Sequence, residues 1–302
     1  MSGLVSVIMP SYNTGKFIAE SIASVVAQTY TDWELIIVDD ASTDNTDEVV
    51  SSLMSSRTSS AATATIHYIK NEKNSGAAVC RNRALREARG KWIAFLDSDD
   101  LWAPDKLEKQ IAFMENNGYA FSYTRYGEMD EKGQKTGVVV GGPAHISKTG
   151  MFNYCWPGCL TVMYNRETVG DIQIADIRKN NDYAMWLKVV RKADCHLLAE
   201  NLATYRKRSG SITHMQPRNE ELQDDAAIPC HSEEQKGDRA IQCHPERSGA
   251  KSKDLKSKLS MIRWHYKLYR EAEGLNPITS LLLTGRNLFF GVWKKIKYVE
   301  RG

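Results

Sequence analysis

Apolar runs alternate with segments of helical period along the first hundred residues. Residues 4–9 form a short apolar run closed by Pro10, which reads as a buried strand because proline ends ladder pairing. Ser11-Tyr12-Asn13-Thr14-Gly15 is turn chemistry. Ile18, Ile22, Val25, Val26 and Thr29 then share one helical face. Residues 34–38 make a second buried strand that runs into Asp39-Asp40, and Asp44-Asn45-Thr46 offers caps for a helix through Val49, Val50 and Leu53. A soft Ser/Thr/Ala stretch over 51–65 leads to a third strand at 65–69. Asn74-Ser75-Gly76 opens a helix carrying Ala78, Cys80, Arg81, Ala84 and Leu85. Residues 92–96 are a fourth strand, and Asp97-Ser98-Asp99-Asp100 follows at once. Strands separated by helices predict an α/β fold with a mostly parallel sheet and right-handed crossovers.

The second half is less regular. Residues 119–123, 137–140 and 160–164 read as strands, with a turn at Trp156-Pro157-Gly158. Asn180-Asn181-Asp182 begins a helix through Tyr183, Trp186 and Leu187, whose aromatic positions are core candidates. A strand ending at Tyr205-Arg206 runs into the basic loop Lys207-Arg208-Ser209-Gly210. Apolar periodicity then vanishes, and 216–258 reads as a disordered insert. Its two Cys-His pairs, at Cys230-His231 and Cys243-His244, do not have zinc-site spacing. Helical character returns at 259–302. Leu259, Ile262, Tyr266 and Tyr269 form one stripe, and Asn276-Pro277 starts a second helix that ends in Lys294, Lys295 and Lys297. The chain therefore divides into a domain at 1–215, the insert, and C-terminal amphipathic helices. Apolar bulk beside lysines suits an anionic membrane surface. The alternative is a helical hairpin packed on the first domain or on a second subunit as a homodimer.

Composition adds limits. The net charge of +3 over 302 residues is too small to imply a nucleic-acid partner. Six cysteines without a CxxC pair fit a reducing compartment. No basic leader precedes the first strand, and no apolar run reaches spanning length. The expectation is a cytoplasmic protein, peripheral on the inner face of the plasma membrane.

In a parallel sheet the carboxyl ends of the strands share one edge, where ligands bind. Three loops meet there with acceptor side chains: Ser11, Tyr12 and Asn13; Asp39, Asp40 and Ser42; Asp97, Asp99 and Asp100. Carboxylates that crowd one loop repel unless positive charge intervenes. Hard oxygen ligands suit Mg²⁺ or Mn²⁺. There is no G-x-G-x-x-G and no G-K-[ST], which argues against a dinucleotide dehydrogenase or a P-loop enzyme.

Taken in order, the segments 5–13, 28–30, 34–44, Gly76-Ala77-Ala78 with Ala84, and 95–100 resemble a family 2 glycosyltransferase. The resemblance covers about the first 210 residues and implies the GT-A fold and a nucleotide-sugar donor. It implies that Pro10, Tyr12 and Asn13 border the nucleoside, that Asp40 with Asp39 meets the base, and that Arg81 lies near base and phosphates. Asp97, Ser98 and Asp99 would form the DxD element, with Asp99 or Asp100 on the divalent cation. Asp182 takes the place of the general base, with Asn181 where glutamate is usual, and Arg206, Arg208 and His214 would meet the diphosphate from a lid. The implied activity is inverting, metal-dependent sugar transfer from a UDP- or dTDP-sugar to a glycan or polyprenyl-linked acceptor, in surface-polysaccharide biosynthesis. Two other readings are a phosphotransferase of the haloacid dehalogenase type, which also carries a strand followed by DxD, and a non-catalytic nucleotide-sugar-binding protein.

Overall fold

A computed structural model of the chain describes residues 3–56, 65–175, 177, 179–208 and 259–301. The expected insert at 216–258 and the lid residue His214 lie outside the described residues. The first half is a βα repeat: β1 (Val5–Ser11), α1 (Ile18–Val26), β2 (Trp33–Asp39), α2 (Thr46–Ser56), β3 (Thr65–Lys70), α3 (Ala77–Glu87) and β4 (Trp92–Phe95). β1 sits between β2 and β4 and is parallel to both, and β3 lies parallel outside β2. The strand ends after Ser11, Asp39 and Phe95 therefore open on one edge.

Period-two alternation divides the sheet's side chains between two cores. Ile8, Ile36, Val38, Ile93 and Phe95 face α3 and the later helices. Val5, Val7, Met9, Leu35, Ile37, Ala94 and Leu96 face the side packed by Ile18, Ile22 and Leu107. Both faces are covered, which is why these strands read as unbroken apolar runs.

Next come β5 (Leu101–Trp102), α4 (Lys106–Asn117), β6 (Phe121–Met129), β7 (Lys135–Val140), β8 (His145–Ile146), α5 (Lys148–Asn153), β9 (Met163–Asn165), α6 (Arg166–Val169), α7 (Asn181–Val189) and β10 (Cys195–Arg206). β9 is antiparallel to β4 and to β6, so the sheet becomes mixed here. β10 runs parallel along β6 and carries β5 and β8 antiparallel. The strand expected over 160–164 is cut short by a 3₁₀ turn at Cys159–Thr161. The Thr161 hydroxyl donates to the Gly158 carbonyl at 2.7 Å, and the Trp102 indole N–H takes the Leu160 carbonyl at 2.8 Å. Those carbonyls are thereby drawn away from ladder pairing.

The tail packs on the face of the sheet that α3 and α7 cover. Helix α8 covers residues 259–267 and passes into a π turn at Leu268–Ala272. Helix α9 (Pro277–Lys297) starts as the sequence predicts, with the Asn276 side chain accepting the Thr279 N–H at 2.9 Å and Pro277 in the first turn. Tyr269 and Tyr183 share a buried hydroxyl–hydroxyl hydrogen bond of 2.8 Å, and the Asn287 amide reaches both. The chain closes with β11 (Val299–Arg301), antiparallel on β7, a strand the sequence pattern did not predict.

One buried cation is unusual. Lys106 in α4 is fully buried, donates to Gln110 Oε1 at 2.7 Å and lies 4.3 Å from the Trp102 ring centroid. Burial pushes its pKa down from 10.5 to about 7. Between those values the unfolded chain binds the proton and the folded chain does not, so stability rises with pH through that window. Below pH 7 the burial penalty is complete. Lys106→Met should therefore raise unfolding free energy by a few kcal/mol, on the order of magnitude set by the shift, at pH 6. The gain should shrink by pH 10 in parallel urea titrations. A pH-independent difference would show that the ammonium is not desolvated.

Candidate active site

The loop after β1 leaves Tyr12 41% exposed at the cleft rim. Asn13 beside it sits in the left-handed region at φ 51°. Its N–H donates to Ser42 Oγ at 2.9 Å and its side-chain oxygen accepts the Thr43 N–H at 2.8 Å. It staples the β1 and β2 loops together. Ala41, on the facing loop, is also left-handed at φ 58°.

The two carboxylates after β2 are buried. Asp39 accepts the N–H and hydroxyl of Ser42. Asp40 accepts the Asn71 amide and the Ser75 N–H, both at 2.9 Å, and the Gly76 N–H at 2.7 Å. Gly76 has φ 91°, a backbone conformation suited to glycine, and its N–H thereby turns toward Asp40. The resemblance implies that Asn13, Asp39 and Asp40 border the nucleoside. In this structure their polar atoms hold the loops of the cleft floor in shape.

The loop after β4 carries three carboxylates, each beside a different arginine. Arg81 from α3 is buried and donates to Asp97 Oδ1 at 2.5 Å and to Asn181 Oδ1 at 2.6 Å. This guanidinium ties α3, the acidic loop and the first turn of α7 into one unit. Asn181 thus fills the glutamate position with a neutral acceptor. Asp182 follows it, half-buried, with Oδ1 accepting the Tyr183 N–H at 2.8 Å. Burial raises the Asp182 pKa, while Arg81 and that N–H pull it down. Asn180, which leads into α7, is a third left-handed residue at φ 59°.

Asp99 pairs with Arg208 at 2.6 Å. Burial raises its pKa, the Arg208 charge opposes the rise, and Asp97 adds to it. Asp100 is buried and its Oδ1 accepts the Arg206 backbone N–H at 2.8 Å. Burial, then Asp99 and Asp97, hold its pKa well above the usual carboxylate range. Ser98 is buried between them.

Two of the candidate residues are turned into the protein. Asp100 faces inward onto β10. Arg206 is turned inward too. It is 2% exposed, and its guanidinium donates to the Asp99 carbonyl at 2.9 Å, to Glu20 at 2.7 Å and to the Glu131 carbonyl at 3.3 Å. Arg206 bolts the end of β10 to the acidic loop and α1. Arg208 remains nearer the surface.

Phe17 was not singled out from sequence. Its ring lies 5.0 Å from the Arg206 guanidinium and 5.8 Å from that of Arg208. An aromatic at the entry of α1 carries no sequence signal of this role. Cys159 is likewise buried within the field of Arg81, Asp97 and Asp182. Trp156 packs between Tyr154, Phe290 and Tyr298.

Among the described residues, no group of three or more His, Cys, Asp or Glu side chains forms a metal cage. Asp97 and Asp99 still fit a hard divalent cation. Both are partly exposed carboxylates on one loop, and Mg²⁺ commonly takes one or two carboxylates plus substrate phosphates.

Comparison with known proteins identifies the frame. The sequence profile of "Glycosyl transferase family 2" matches residues 6–157. The chain belongs to this family. The protein is 42% identical over 211 residues to TuaG of Bacillus subtilis, named for teichuronic acid biosynthesis, covering 70% of this chain and 81% of that one. It is 41% identical over 188 residues to the Escherichia coli glucosyltransferase WfgD, covering 62% and 70%. Solved glycosyltransferases share the fold. Staphylococcus aureus TarS with UDP-GlcNAc superposes with TM-score 0.59 at 22% identity over 74% of this chain and 64% of that chain. The Pyrobaculum calidifontis mannosyltransferase with GDP-Man and Mn²⁺ gives TM-score 0.56 at 16% identity over 97% and 76%. The chain is a glycosyltransferase, which displaces the phosphotransferase and non-catalytic readings.

Arg206 and Arg208 should separate by measurement. Arg206→Met strips the Asp99 carbonyl and Glu20 of their donor, and should cost about 2 kcal/mol in urea unfolding. Arg208→Met should cost less than about 1 kcal/mol. Equal losses would contradict the distinct placements.

Proposed function

We propose that this glycosyltransferase moves a sugar from a nucleoside diphosphate donor to a hydroxyl of a lipid-linked glycan, with inversion, in surface-polysaccharide assembly. The observation that carries this reading is the Arg81 bridge, which brings Asp182 into the same charged cluster as Asp97. A donor-side carboxylate loop and a half-buried carboxylate across from it are the two halves of a direct displacement. The WfgD name, UDP-Glc:alpha-D-GlcNAc-diphosphoundecaprenol beta-1,3-glucosyltransferase, supplies the donor and acceptor classes, and the TuaG name supplies a polymer setting.

Tyr12, exposed beside Pro10, supports a stacking role against the base. Asp39, Asp40 and Asn13 shape the floor beneath it. Asp97 and Asp99 would hold Mn²⁺ or Mg²⁺. When bound, such an ion offsets charge that develops on the leaving diphosphate. Arg208 adds a cation on the same side, and Arg81 holds Asp97 in place. Asp182 takes the proton of the acceptor hydroxyl at its carboxylate oxygen as the hydroxyl oxygen bonds to the anomeric carbon and the nucleoside diphosphate departs with the electron pair of the sugar–phosphate bond. Its raised pKa makes it a better proton acceptor than an ordinary carboxylate and keeps it unprotonated only above that raised value. Asn181 cannot be a second carboxylate, so a covalent sugar intermediate has no nucleophile there. That supports single displacement.

Asp182→Asn should retain donor binding by calorimetry and lose transfer by about 10²–10⁴-fold. Wild-type kcat/KM should fall as pH drops through the raised Asp182 pKa, and the variant should lose that limb. Unchanged turnover would remove Asp182 as the base. Treatment with EDTA should abolish transfer, and added Mn²⁺ or Mg²⁺ should restore it.

A further inference from the structure

Helix α9 is inverted relative to an ordinary surface helix. Its inner face buries Ser280, Thr284 and Asn287. Its outer face presents Ile278, Leu281, Leu282, Phe289, Val292 and Ile296, each between 61% and 75% exposed. These positions fall on one stripe about 100° wide at 3.6 residues per turn. Single exposed apolar residues are common, but a continuous stripe marks an interaction surface.

We propose that this outer face docks on an anionic lipid bilayer. The charge pattern selects that occupant. Pro277–Lys297 contains no acidic residue, and Arg286, Lys295 and Lys297 are exposed beside the stripe. Arg286 and Lys297 fall on one margin and Lys295 on the other. Basic margins along an apolar stripe match acyl chains bordered by anionic headgroups. A second copy packed through the same face would set these cations against themselves, with no acidic residue on the helix to meet them. No helix among the described residues is long and apolar enough to cross a membrane, so α9 would lie along the surface.

The inner face connects this surface to the cleft. Gly291 lets the Tyr154 ring approach, since a Cβ there would stand 3.3 Å from it. Lys294 turns inward and donates to the Trp156 carbonyl at 2.7 Å. The segment it holds continues through Cys155, which lies in the field of Asp182. A bilayer on the outer face therefore lies on the Asp182 side of the cleft. This inference goes beyond the proposed transfer and does not depend on it.

The test uses the full chain and sedimentation with vesicles, without substrate. The wild type should sediment with phosphatidylcholine vesicles containing phosphatidylglycerol, stay in solution with phosphatidylcholine alone, and be released by salt. Leu282→Ser/Phe289→Ser/Ile296→Ser and Arg286→Gln/Lys295→Gln/Lys297→Gln should each lower vesicle affinity on the order of a hundredfold. Circular dichroism should show both folded, since the altered positions are exposed. Failure of the wild type to bind anionic vesicles would overturn the proposal. So would binding that survives the triple serine variant, or a wild-type dimer in solution that this variant disperses, which would assign the face to a second copy. The lipid and salt dependence of the wild type decides the matter even if a variant misfolds.

Discussion

Three carboxylates within four residues at the buried end of β4 cannot stay together without compensating charge. The chain meets this constraint with three arginines from two elements and the loop beyond. Arg81 in α3 takes Asp97, Arg208 takes Asp99, and Arg206 at the end of β10 holds Asp100 through its backbone N–H and the Asp99 carbonyl through its side chain. Remove these and the acidic loop would either protonate or splay apart. The loop's shape is thus set by residues 16 to more than 100 positions away, and the cleft exists because those distant elements converge.

The same convergence makes the C-terminal helices part of the frame around Asp182. Arg81 fixes the first turn of α7 through Asn181. One residue beyond Asp182, Tyr183 passes its hydroxyl to Tyr269 and the Met151 carbonyl, and Asn287 of α9 completes the cluster. β11 then pins the end of α9 to β7. A helix anchored at several points along its length transmits position rather than swinging freely. Asp182, the Tyr154–Trp156 segment and the outer surface of α9 are one mechanical unit.

Much of this was legible in the sequence because it rests on local pattern. The unbroken apolar runs of β1, β2 and β4 are visible because both faces of those strands are covered. Asn276-Pro277 announces α9 for a local reason, a cap and a first-turn proline. The roles of Arg206 and Asp100 were not legible, because whether a polar side chain faces solvent or a neighbouring strand depends on pairing between β10 and the acidic loop. Phe17 and Asn181 were missed as bridging residues for the same reason. β11 is only three residues long, below the length at which alternation can speak. The inward turn of Ser280, Thr284 and Asn287 depends on what α9 packs against, which no helical wheel reveals.

Asn13, Ala41 and Asn180 share one further property. All three are non-glycine residues in left-handed backbone geometry, on three separate loops around the cleft. Each such residue costs roughly 1 kcal/mol or more relative to a relaxed turn, and asparagine bears it better than alanine. A chain that keeps this strain at the rim has its reception site rigid before any ligand arrives. Ordering entropy is then settled during folding, and an arriving ligand meets a mould already cast.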